Sequence, residues 1–203
     1  MNAVVIAKTH MGKNICVGAV NADTGELLRL VPHDGSNYHS WQDFSHDIGD
    51  LVVITGMAAS SVEAPHVEDF IVDKCTSTGK QAKDIPAWLR KRCMIWKGNR
   101  SCLFGGRLKF TSWGKGHVDR GDPLPDHSVG FWELPADFTL LPGEKKRFSL
   151  AGPLSVNAPY VGLGEPPEKI LKGSLVRVSL SRWWAPNDGG MPEACWLQIS
   201  GHY

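Results

Sequence analysis

Three groups of residues in this sequence carry side chains suited to work on a charged polymer. The most local is Pro65-His66-Val67-Glu68-Asp69, which sets an imidazole beside two carboxylates. A nuclease or phosphohydrolase uses such a set to hold a metal ion that activates water. The second is the polar stretch 33–50, where His33, His39 and His46 alternate with Asp34, Asp43 and Asp47. The third runs from Lys80 to Arg120. It holds eleven Lys and Arg against Asp84 and Asp119, a net charge of +9 in a chain whose total is +1. Residues 1–79 carry four basic and ten acidic side chains, and residues 121–203 carry seven and nine, so the near-neutral total conceals a polarised chain. Trp88, Trp96, Phe104, Phe110 and Trp113 are threaded through the basic segment. Cations attract a phosphate backbone, and flat rings stack on unpaired bases. The plainer reading is a solvated basic face with its aromatic residues in a core.

The metal readings are the weaker ones. His33-Asp34 and His46-Asp47 superficially match the paired signature of helical metal phosphohydrolases, but the context here is strand and loop, where such residues cap turns. Around His66 the favoured reading is a turn cap followed by solvated Glu68 and Asp69, because no second carboxylate motif partners them. Cys75, Cys93, Cys102 and His117 lack the close pairing of a zinc site. No Gly-x-Ser-x-Gly elbow and no P-loop is present. The five cysteines are scattered, without a CxxC pair, which points to reduced thiols in the cytoplasm. Lys8, His10 and Lys13 interrupt the opening apolar run before it makes a signal peptide. No stretch approaches the roughly 20 apolar residues that span a bilayer.

The elements that must position these groups are mostly short strands, since Gly (22) and Pro (13) are abundant and long amphipathic runs are scarce. Val4–Ala7 is a short apolar run followed by a loop through Gly12. Ile15–Val20 and Glu26–Val31 read as a hairpin around Asn21-Ala-Asp-Thr-Gly25. Arg29 lies in its apolar arm, as a paired structural arginine or a ligand-facing cation. Residues 33–50 read as a loop with one helical turn near Trp41–Phe44. Further strands are expected at 51–54, 70–72, 131–134, 138–141, 148–150, 175–182 and 196–200. One helix is expected at 86–94, with Asp84 as its N-cap and Pro86 in its first turn. Gly49-x-Leu51-Val52-x-Ile54 is echoed by Gly173-x-Leu175-Val176-x-Val178. The echo suits two small β-units, residues 1–79 and 121–203, joined by a basic, partly helical segment, 80–120. Five-stranded OB barrels are the small β-fold most associated with nucleic acid.

Several stretches together resemble one family. They are Asn14-Ile-Cys-Val-Gly-Ala-Val20, Thr24-Gly-Glu-Leu-Leu-Arg-Leu-Val-Pro32, Pro65-His-Val-Glu-Asp69, Leu180-Ser-Arg-Trp-Trp184 and Cys195-Trp-Leu-Gln-Ile-Ser-Gly201. The chain resembles, over essentially its whole length, the bacterial proteins described as carrying a dual OB-containing domain. That resemblance implies two OB-like barrels and a role in binding nucleic acid, with no catalytic residues to carry over.

The expectation is a mostly β cytoplasmic protein that binds nucleic acid without catalysis, favouring single-stranded DNA or RNA, with no cofactor and no metal. It would serve as an accessory component of a bacterial defence or repair system. Arg90, Lys91, Arg92, Lys97, Arg100, Arg107, Lys109, Lys115 and Arg120 would meet phosphates. Trp96, Trp113 and Trp184 would stack on bases, Arg182 flanking Trp184. Of Trp183 and Trp184, strand alternation exposes one and buries the other, unless a bulge before Pro186 buries both. The alternatives are a metal-dependent nuclease built on His66, Glu68 and Asp69 or on the 33–50 loop, and a protein-interaction module.

Overall fold

A computed structural model describes residues 1–34, 38, 43–143, 146–185 and 193–203. His39, the Trp41–Gln42 part of the expected helical turn, and Pro186 lie outside them. The chain divides into two compact units, Met1–Glu63 with Glu68–Met94, and Ala64–Val67 with Ile95–Tyr203. The basic segment is therefore shared between them: its helix belongs to the first unit and residues 95–120 to the second.

The first unit is a closed five-stranded barrel of β1 (Asn2–Met11), β2 (Asn14–Asn21), β3 (Leu27–Pro32), β4 (Asp50–Ala58) and β5 (Asp69–Gln81), in the order β1-β2-β3-β5-β4. This is the OB order, in which four ladders are antiparallel and β3 meets β5 in parallel. β1 outruns its apolar core: Lys8–Met11 pair with Asn14–Val17, and the expected loop shrinks to Gly12-Lys13. Gly12 turns there with φ +61°. β5 likewise runs nine residues past Val72, because β4 supplies a partner along most of that length. The β2–β3 hairpin forms as the sequence predicts, with Asn21 Oδ1 accepting from the amides of Asp23 and Thr24. α1 (Ile85–Arg92) is capped by Asp84, whose carboxylate accepts from the Ala87 amide at 2.9 Å.

The second unit is built from β6 (Ile95–Lys97), β7 (Lys109–Phe110), β8 (Gly116–Asp119), β9 (Val129–Glu133), β10 (Phe138–Leu141), β11 (Arg147–Leu150), β12 (Val156–Pro159), β13 (Lys169–Ile170), β14 (Leu175–Leu180) and β15 (Ala194–His202). β9 and β10 act as one bent strand, β9 pairing with β14 and β10 with β11. β11 pairs with β12, β14 with β15, and the circle is completed by a single parallel bridge, Tyr160 to Ile199. The circuit repeats the OB order of the first unit. Its core is one cluster that includes Trp132, Phe138, Phe148, Val176, Val178, Leu197 and Ile199. The echoed hexapeptides occupy matching places, since Gly49 opens β4 and Gly173 opens β14, both with positive φ. The fold is mostly β with two OB-like barrels, as the sequence leads one to expect.

Candidate nucleic-acid interface

Strand alternation in the second unit sets a group of side chains outside the barrel. Phe148 and Leu150 of β11 enter the core, so Arg147 faces out. On β12, Val156 and Ala158 enter, leaving Asn157 and Pro159 outside. On β15, Cys195, Leu197 and Ile199 enter, leaving Trp196 and Gln198. Together with Lys115, Gly116, Ser181, Leu197 and Trp184, these residues line a groove of about 470 Å³. Among the described residues no Asp or Glu lines it.

The groove's polar groups divide into held and free. Ser181 Oγ donates to the Arg182 carbonyl at 2.9 Å and accepts the Trp196 amide at 2.8 Å, so it is structural. Arg147 donates through Nε to Asn157 Oδ1 at 2.7 Å and through Nη2 to the Asn157 carbonyl at 3.1 Å. Burial pulls the Arg147 pKa down from its usual value. Trp196 packs against His117, ring centroids 4.9 Å apart, and its buried Nε1 has no partner among the described residues. Trp184 is 54 % exposed. Its neighbour Trp183 packs on the core, donates Nε1–H to the Ala64 carbonyl, and lies under the Arg120 guanidinium at 4.5 Å. One of the two tryptophans is thus covered and the other presented.

The residues read from the sequence are not all brought together. Arg90, Lys91 and Arg92 are on the exposed side of α1 in the first unit. There Arg92 donates to the Ala22 carbonyl and covers the Trp88 ring at 4.6 Å. In the second unit Arg100 bonds the Ser155 carbonyl and covers Phe110. Lys109 bridges Asp119 at 3.0 Å and Asp122 at 2.6 Å, and those bonds raise its pKa. Arg120 pairs with Glu193 at 2.5 Å, and Arg182 is half-buried. Lys91, Lys97, Arg107 and Lys115 are exposed and carry no ion pair among the described residues. Trp113 stands out at 77 % exposure on the β7–β8 turn. Trp96 is the correction: it is 9 % exposed and packed between Phe104 and His127, with Gly130 beneath it, so neither ring face can take a base. Arg147, Asn157, Trp196 and Gln198 were missed. The run Lys145-Lys146-Arg147 was a signal, masked by counting charge over all of 121–203.

The other chemical candidates are engaged locally. Asp69 is gripped by the Arg29 guanidinium through two hydrogen bonds, so Arg29 is a paired structural residue. In the second unit, buried His66 lies with Nε2 at 3.6 Å from Cys195 Sγ. His33 pairs with Asp73, and Lys8 approaches Asp47 at 3.7 Å. Among the described residues no three His, Cys, Asp or Glu side chains gather as a metal site requires. Burial pushes the Cys75 and Cys93 thiols up to about 11, which keeps them protonated and poorly nucleophilic. No helix among the described residues is long and apolar enough to cross a membrane.

Two barrels of OB order in succession, the second with an external groove, define a double OB-barrel protein. The chain belongs to the dual OB-containing domain family, whose profile matches residues 1–202. No curated protein matches the sequence. Among solved structures it is similar to a murine DNA-binding protein bound with double-stranded DNA, at 9 % identity over 98 % of this chain and 91 % of that one, with a TM-score of 0.34. It is also similar to a structure described as structural mimicry for functional antagonism, at 11 % identity over 99 % and 91 % of the two chains, with a TM-score of 0.36. Scores this low carry no argument about function.

Proposed function

We propose that this protein binds nucleic acid without acting on it chemically, favouring single-stranded DNA or RNA over duplex. The observation that carries this reading is the position and lining of the groove in the second unit. It is bounded by β11 and β12, the second and third strands of the OB circuit, and by Ser181 and Trp184 in the connection from its fourth strand to its fifth. OB barrels bind oligonucleotides and oligosaccharides on that face. Lys115 and Arg147, with no carboxylate among the described lining residues, suit a polyanion, and the exposed Trp184 suits an unpaired base more than a sugar. Duplexes hide the base faces that an indole would cover. Lys97 and Arg107 add positive charge on the same unit that no described residue pairs.

The test is a salt titration of binding to labelled single-stranded DNA, single-stranded RNA and duplex, with and without magnesium. Single strands should bind more tightly than duplex and stay intact, with a log–log salt slope of about −2 if three phosphates are neutralised. A flat salt response, or cleavage that requires magnesium, overturns the reading.

A further inference from the structure

Arg147 carries a more specific message than positive charge. One edge of its guanidinium is already committed, because Nε and Nη2 both donate to Asn157, to Oδ1 at 2.7 Å and to the carbonyl at 3.1 Å. The opposite edge, formed by the two terminal nitrogens, still offers two parallel N–H groups. Such a fork fits two neighbouring acceptors, either two phosphate oxygens or N7 and O6 of guanine.

The surroundings decide between them. Lys115 is exposed at the groove and free to meet phosphate. Arg147 is half-buried, with the rings of Trp184 and Trp196 and the amides of Asn157 and Gln198 along the same groove. A strongly hydrated phosphate belongs with the exposed ammonium, whereas a flat base belongs among the rings. Because no carboxylate among the described residues lines the groove, none of them places a charged acceptor against the N1–H and N2–H groups of guanine's pairing edge. Its other edge offers acceptors alone. Adenine sets an amino donor beside N7 at the same place, which opposes the fork.

On the reading that the second unit binds single strands, we propose that the groove is a guanine-selective site: the free edge of Arg147 takes N7 and O6 while Trp184 covers the base. The experiment measures equilibrium binding of the whole chain to single strands, DNA and RNA, that differ at one central base. That base is guanine, adenine or 7-deazaguanine, which lacks the N7 acceptor. Guanine should bind about tenfold or more tighter than adenine, and 7-deazaguanine should lose most of that advantage. Arg147→Lys should erase the preference while leaving the salt slope within about one unit. Equal affinity for guanine and 7-deazaguanine overturns the proposal, as does an Arg147→Lys effect of equal size on every base, and both leave general nucleic-acid binding standing. No binding to any strand at low salt overturns both readings. The comparison of bases uses the unmodified protein, so it decides the matter even if the variant fails to fold.

Discussion

The two barrels share a strand order and differ in how the circle is closed. In the first, β3 and β5 run side by side through four register pairs, Arg29 to Asp69 through Pro32 to Val72, and the Arg29–Asp69 ion pair lies on the first of them. In the second, the matching strands β12 and β15 come together next to one bridge, Tyr160 to Ile199, and a groove lies beside the seam. A full ladder satisfies its backbone groups with one another along the seam. A single bridge leaves outward side chains of both strands to line a groove. One topology therefore gives a barrel closed by a ladder and one closed by a single bridge, and what separates them is closure, not fold.

Breaking the seal should have the largest effect. Arg29→Ala leaves the Asp69 carboxylate, 14 % exposed, without its fork, and should destabilise the chain by about 2–4 kcal/mol in urea unfolding. Affinity for single strands, measured where the variant is still folded, should not change. The opening is sharpened by Trp184→Ala, which should weaken single-strand binding by about 1–3 kcal/mol with little change in unfolding, because the ring is 54 % exposed. Loss of binding in Arg29→Ala with none in Trp184→Ala would reverse the roles assigned to the two barrels. The smallest effect is on acid stability. The hydrogen bond from Lys109 holds the Asp122 carboxyl below its usual range. A carboxyl with a lowered folded pKa contributes fully above the unfolded value of about 3.9 and loses that contribution as pH falls through the folded one. Wild type should therefore outlast Lys109→Ala slightly at pH 6, the two converging toward pH 2 and in high salt, since the pair is open to solvent.

Much of this fold was legible because the signals are local. Asn21 to Gly25 makes a turn by its own side-chain chemistry, Asp84 caps α1 three residues ahead, and the echoed glycines mark the same strand in both barrels. The candidate site was legible only in its exposed residues. Lys115 and Trp184 were found as a cation and a ring in suggestive company. Arg147 and Asn157 meet across a hairpin, but Trp196 and Gln198 join them only across the Tyr160–Ile199 seam, between segments about 40 residues apart, which no local pattern encodes. Trp96 went the other way: its basic neighbours implied a surface, but Gly130 on the adjacent strand leaves room for the indole to lie flat inside.

The path of the chain also constrains its evolution. Ala64–Val67 interrupts the first unit yet belongs to the second, bringing His66 to Cys195 and the Ala64 carbonyl to Trp183. Between the first residue and the last, the polypeptide changes unit three times. No single breakpoint in the gene can therefore yield one complete unit and its complement. Recombination that moved the second unit to a new neighbour, by cutting between codons 94 and 95, would leave four of its residues behind. The two units are thus separable by no single cut, and His66 and Ala64 keep a stretch of the first unit's sequence tied to the second.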